Sequence, residues 1–362
     1  MSQQISGANV LEETTIVDAD VHLSRGISVD EVASHMDEPY ESRVLSEYCY
    51  PASTGSDWDP YMGEKIEGRA LDSPETVQED LVDGFHVDYP ILNTISGAAK
   101  SPNTDLAVEL MRANNRVILE KFLDPSDFYG LACIAPQDPE AAAEEIDRLG
   151  DEDQIIGLFV ESFAQNPPLG DSSYDVMYEA AEKNDLTIAF HGGAATTFKY
   201  DFPIQNQGLE QFLEIHTLAH LWQSTLALTS LIVEGVPEKF PDLNFVFLEA
   251  GISWVPYMMW RLNKEYSIRR SEAPLLEKSP EEYIRDQFYF ASQPLGEPND
   301  PTQMPEMIDI LGTESVMFAS DYPHWDFDHP DELGQHLQQT FTAEERQQIL
   351  GDTPAEAFGI NI

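Results

Sequence analysis

The chain has 362 residues, of which 66 are Asp or Glu and only 19 are Lys or Arg, giving a formal net charge of −47. That balance excludes nucleic-acid binding, which needs basic stripes against phosphate, and it disfavours an anionic membrane surface. With 42% hydrophobic and 10% aromatic residues the chain is no disordered acidic segment, and a charge far beyond what solubility asks for predicts adaptation to high salt, where self-repulsion is screened.

Taken in chain order, eight apolar runs of strand length stand at 15–17, 88–92, 128–134, 155–160, 186–190, 244–248, 288–291 and 315–318. Helical stretches lie at 104–122, 138–149 (opening on Asp-Pro), 173–184, 217–233, 330–339 and 343–350; the fourth is apolar almost all round. This alternation predicts a single domain over 1–362, a (β/α)8 TIM barrel with long loop insertions. A doubly wound sheet would announce an early glycine-rich phosphate loop, and none is present. Residues 24–76, rich in Pro, Gly, Ser and Asp and dotted with Tyr40, Tyr48, Tyr50, Trp58 and Tyr61, are read as a lid over the barrel mouth or as an acidic surface loop. The segment 192–214 would overlie the same mouth. Segment 254–260 suits a helix core or an interface between copies, which leaves both a monomer and a homodimer open. Residues 1–13 lack a basic stretch followed by an apolar run, no segment reaches membrane-spanning length, and Cys49 and Cys133 form no C-x-x-C. These features predict a cytoplasmic protein with two unpaired thiols.

Four polar signatures follow apolar runs, where a parallel barrel collects its active-site residues. In Asp18-Ala19-Asp20-Val21-His22, residues two apart share a strand face, so all three polar side chains are expected to face the axis. Asp20 and His22 could grip one metal, with Asp18 hydrogen-bonding a ligand from behind. His191-Gly192-Gly193 ends a strand with an imidazole and allows an abrupt turn and close backbone approach. Glu249 could be a metal ligand, a general base or an ion-pair partner of Arg261. Asp321 ends the last strand, placed to bind metal and move a proton, and the nearby His324 either reaches substrate or stacks on Trp325. His216 and His220 share a helix face; His216 is expected to face the site as a catalytic residue, and His220 to be structural. Few bases are available for an acidic substrate, leaving Arg43, Arg69 and Lys199 as candidates.

These residues resemble the amidohydrolase superfamily, in the amidohydrolase-related branch that includes aminocarboxymuconate-semialdehyde decarboxylase and the resorcylate-type decarboxylases. The stretches that carry the likeness are Glu234-Gly235-Val236-Pro237-Glu238-Lys239-Phe240-Pro241-Asp242-Leu243, the Phe-Leu-Glu-Ala-Gly-Ile-Ser-Trp-Val-Pro that follows, and Ala319-Ser320-Asp321-Tyr322-Pro323-His324-Trp325-Asp326. The resemblance implies a barrel with one divalent metal, zinc or manganese, held by His22, His191, Asp321 and, in place of the family's first-strand His or Glu, Asp20. The added carboxylate favours a harder metal such as manganese or magnesium. Where the decarboxylases end the sixth strand with a catalytic histidine, this chain has Glu249.

Three readings follow. The first is non-oxidative decarboxylation of a small unsaturated or aromatic acid, with Asp321 delivering the proton, and the resemblance favours it. The second is hydrolysis of a lactone, ester or amide by a metal-activated water, with Asp321 or Glu249 taking the proton. The third is a barrel that has lost its metal.

Overall fold

The computed structural model describes residues 14–23, 26–45, 68–94, 96, 98, 101, 103–162, 165–193, 211–296, 298–300, 302–338 and 340–362. Cys49, Tyr48, Tyr50, Trp58, Tyr61, Lys199 and much of the proposed lid lie outside them.

Eight strands, β1 (Val17–His22), β2 (Tyr89–Asn93), β3 (Tyr129–Cys133), β4 (Ile155–Glu161), β5 (Thr187–His191), β6 (Phe245–Leu248), β7 (Phe288–Ala291) and β8 (Val316–Met317), pair in sequence order, all parallel. The barrel closes beyond β8: Ala19 N donates to Phe318 O, Asp321 N to Asp20 O and His22 N to Tyr322 O. Every residue of β1, β4 and β5 is buried, because helices cover the outside while side chains fill the inside. The strands therefore read as nearly continuous apolar runs. Val17, Ala19, Ile91, Leu131, Phe159, Ala189, Val246, Leu248, Ala291, Met317 and Ala319 fill the interior. Ala355, Ala357, Phe358 and Ile360, on and just after the helix Thr353–Phe358, join the same cluster and stopper the N-terminal end. Outside the barrel, Phe245 stacks on Phe288 (ring centroids 4.9 Å apart), with Phe190 and Phe247 beside them.

The first strand is longer than the apolar run 15–17 that announces it, and it takes in Asp18, Asp20 and His22. Its pairing with β2 shifts register between Asp18 and Val21. Val17 and Ala19 point inward below the shift, and Asp20 and His22 above it. The expectation that Asp18 joins them is corrected: Asp18 Oδ1 accepts from Ser320 N at 2.8 Å and Asp20 N at 3.2 Å, tying β1 to the end of β8. Burial pushes the Asp18 carboxyl up to about 7, against the bonds from Ser320.

Among the helices, Thr104–Val117 runs on through a wider turn to Leu123, and the apolar helix begins earlier than expected, at Phe212–Val233. Segment 254–260 opens the helix Val255–Arg269. Trp254 and Met258 are buried and Trp260 is exposed, while Tyr257 and Leu226 are exposed around an open groove of about 800 Å3. Residues 68–82 sit at the mouth, where Gly68 N donates to Pro323 O and Tyr322 Oη to Asp80 Oδ2. Among the described residues, no helix is long and apolar enough to cross a membrane.

Candidate metal centre

Asp20, His22, His191 and Asp321 converge at the C-terminal mouth, one donor atom from each lying within 4.8 Å of the others, and all four are buried. His22 Nε2 is 2.9 Å from Asp321 Oδ1 and 3.3 Å from Asp20 Oδ1; His191 Nε2 is 3.7 Å from Asp20 Oδ2. Ligands around an ion at about 2.0–2.2 Å stand about 3–3.5 Å apart, so the spacing fits one divalent cation. The hydrogen-bond pattern points the same way. His191 Nδ1 faces Gly192 O at 2.5 Å, and a carbonyl only accepts, so Nδ1 carries a proton and Nε2 is the nitrogen turned to the cluster. Among the described residues, His191 Nε2, His22 Nε2 and Asp20 Oδ2 are buried and make no well-aligned hydrogen bond, although each has an oppositely charged group within 2.7–3.7 Å, an arrangement that a shared cation would satisfy.

Two neighbours that the sequence left unmarked hold the carboxylates. Asn93, closing β2, donates Nδ2 to Asp20 Oδ1 at 2.6 Å, and Gln293, just past β7, donates Nε2 to Asp321 Oδ2 at 3.1 Å. Their signal was positional, since each is a polar residue at the C-terminal end of an apolar strand. Asp321 (φ 62°) and Glu249 (φ 48°) both adopt the left-handed backbone region, a conformation that costs an ordinary side chain energy and clusters at functional sites.

His324 stacks on His22 (centroids 4.3 Å apart, planes at 28°), and its Nδ1 is 2.6 Å from Asp321 Oδ1. It does not stack on Trp325; that indole lies beside His216 instead. Burial, then the charge of Glu249, push the Asp321 carboxyl well above the usual range. Asp20 goes the other way: burial opposes its ionisation, but His22 and His191 outweigh it and hold the pKa down. Glu249 is likewise held well below the carboxylate range by His220 and His191, against its burial.

Glu249 does not meet Arg261, which pairs with Glu265 at 2.6 Å. It stands between two imidazoles, with Oε2 2.7 Å from His191 Nε2 and Oε1 3.0 Å from His220 Nε2. His220, expected to be structural, is therefore part of the site. Gly192 makes this approach: a Cβ there would stand 2.8 Å from His220 Cα. Gln223 fixes the same helix by exchanging two hydrogen bonds with the backbone of Gly193. His216 lies one turn earlier, its Nε2 3.6 Å from Asp326 Oδ2.

The two arginines expected to receive substrate do not reach the cluster. Arg69 spends its guanidinium on Glu79 and Asp80, at 2.6 and 2.8 Å, and Arg43 lies over the Tyr40 ring. Cys133 is buried, its thiol raised by desolvation, and inert.

A family model described as Amidohydrolase matches residues 17–360. The sequence is 26% identical over 291 residues to the gamma-resorcylate decarboxylase of Rhodococcus jostii, covering 77% of this chain and 84% of that protein. The fold superposes on an amidohydrolase from Mycobacterium avium subsp. paratuberculosis with a TM-score of 0.75, at 18% identity over 96% of this chain and 100% of the other. It also superposes on the 5-carboxyvanillate decarboxylase of Novosphingobium aromaticivorans, solved with bound manganese, with a TM-score of 0.68, at 18% identity over 98% and 99%.

Proposed function

The chain belongs to the amidohydrolase family, and from that premise we propose that it is a divalent-metal-dependent decarboxylase of a small aromatic or unsaturated acid. Relatives named for gamma-resorcylate and 5-carboxyvanillate support the substrate class. Asp20, His22, His191 and Asp321 would hold the ion. Manganese suits them better than zinc, given two carboxylates in the set. Bound there, the ion supplies Lewis acidity and fixed positive charge against an anionic substrate, a charge that Arg43 and Arg69 do not provide.

The observation that carries the reading is the convergence of Asp20, His22, His191 and Asp321 at the mouth, with the Nδ1 of the partly exposed His324 2.6 Å from Asp321 Oδ1. Asp321 is thereby placed between the ion and a route to solvent, the position of a proton donor. Asp321 gives its proton to the ring carbon that bears the carboxylate. The bond from that carbon to the carboxyl group then breaks, its electron pair returns to the ring, and CO2 departs. His324, a quarter exposed and 2.6 Å from Asp321 Oδ1, returns a proton from solvent. Both Glu249 oxygens face imidazoles, His191 at 2.7 Å and His220 at 3.0 Å, which leaves neither turned to a water as the base of a hydrolase would be.

The test is CO2 release by manganese-loaded protein in high salt from a panel of hydroxybenzoates, carboxyvanillate and muconate semialdehydes, with and without a chelator, beside a panel of lactones and esters. We expect CO2 from at least one acid, abolished by chelation. Chelator-indifferent turnover, or hydrolysis without CO2, would sink the proposal.

A further inference from the structure

We propose that the mouth holds a second divalent cation, bound by His216, His220 and Glu249 with Asp326 beside them, and that Glu249 bridges it to the first. The inference rests on the reading of Asp20, His22, His191 and Asp321 as a metal centre, and extends it to a two-ion site.

Geometry carries it. His216 and His220 stand one turn apart on the helix Phe212–Val233 and turn their rings to the same place, with centroids 5.4 Å apart. One donor atom from each, and one from Glu249, lie within 4.8 Å of one another. His220 Nε2 to Glu249 Oε1 is 3.0 Å and His216 Nε2 to Asp326 Oδ2 is 3.6 Å, spacings that neighbouring ligands around one ion also adopt. The set offers two imidazoles and up to two carboxylates, the same chemistry as the first group.

The arrangement of Glu249 links the two. Its oxygens are divided, Oε2 toward His191 of the first group and Oε1 toward His220 of the second. A carboxylate disposed this way can bridge ions about 3.5–4 Å apart, the usual spacing of two-metal sites. The chain also goes to some length to hold it so. Glu249 sits in the left-handed region, and Gly192 and Gln223 lock the histidine-bearing helix against the end of β5. A second ion would give the substrate's anionic oxygens a clamp from both sides.

Manganese titration of metal-free protein in high salt, followed by desalting, elemental analysis and electron paramagnetic resonance, tests this directly. The expected result is about two ions per chain with the broadened spectrum of a coupled pair. His216→Ala/His220→Ala, checked for a native near-ultraviolet circular dichroism spectrum, should retain one ion with an isolated-ion spectrum. The wild-type stoichiometry decides even if the variant does not fold. One ion in the wild-type protein overturns the second site and leaves the one-metal reading standing. None overturns both. Two ions that persist in the folded variant, or the loss of both from it, also overturn the second site.

Discussion

Asp321 shows how one residue gathers several physical effects. Its backbone is left-handed, its carboxyl is fully buried, one oxygen meets His22 and His324, and the other accepts from Gln293. Asn tolerates the left-handed region nearly as well as Asp and keeps the shape. Asp321→Asn is therefore expected to fold, to retain at least one manganese ion by elemental analysis, and to lose about 10²–10⁴-fold in the rate of CO2 release, the usual worth of a positioned acid. A rate within a few-fold of wild type would remove Asp321 as the proton donor. His22, His191 and Asp321 were legible in the sequence because each ends an apolar run, and strand ends are set by local pattern. His220 was not. It lies in a helix apolar almost all round, and what turns it toward Glu249 is contact with Gly192, a tertiary fact. Asp18 misled for a related reason, because the two-residue alternation fails where the register of β1 shifts.

At the scale of elements, the strands could be read because burial on both faces makes them continuous apolar runs. Helices with weaker patterns went unmarked: Val255–Arg269 beyond its opening segment, Pro280–Gln287 and Gln303–Leu311. The second carried a usable sign in Ser279-Pro280-Glu281-Glu282, since Ser279 and Glu282 form a capping box. Short capped helices also punctuate the first long loop. One of them, Val29–Ala33, is fastened to the barrel by Lys121, whose Nζ is 2.5 Å from Glu31 Oε1. Slight burial opposes ionisation of Glu31, but Lys121 and Ser28 hold its pKa at about 2, below the ordinary 4.5. A depressed folded-state pKa gives stability that is present above about 4.5 and lost as pH falls toward 2. Because the pair is largely exposed, its worth is only about 0.2–1 kcal/mol. Lys121→Met should thus lower Tm by about 1–2 °C at pH 7 in moderate salt, with the gap narrowing below pH 4.5. A gap that stays constant with pH would assign the effect to the bond from Lys121 to Gly26 O instead.

For the whole molecule, charge dominates. With 66 acids against 19 bases, most carboxylates have no basic partner and repel one another. We infer a protein built for concentrated salt, whose Tm should rise by roughly 10 °C or more between about 0.2 M and about 3 M KCl as the Debye length shrinks. A Tm indifferent to salt would count against that adaptation. One region escapes the acidity. The helix Phe212–Val233 carries Glu214 as its sole charged side chain in 22 residues, and Val255–Arg269 beside it brings Arg261, Lys264 and Arg269 against Glu265. The same long helix holds His216, His220 and Gln223 on its inner side, while Leu226 stands open on its outer side. One helix thus forms a wall between two environments, its inner flank shaping the mouth and its outer flank open to solvent, so an apolar substitution at Leu226 is free of the constraints that bind His216 and His220.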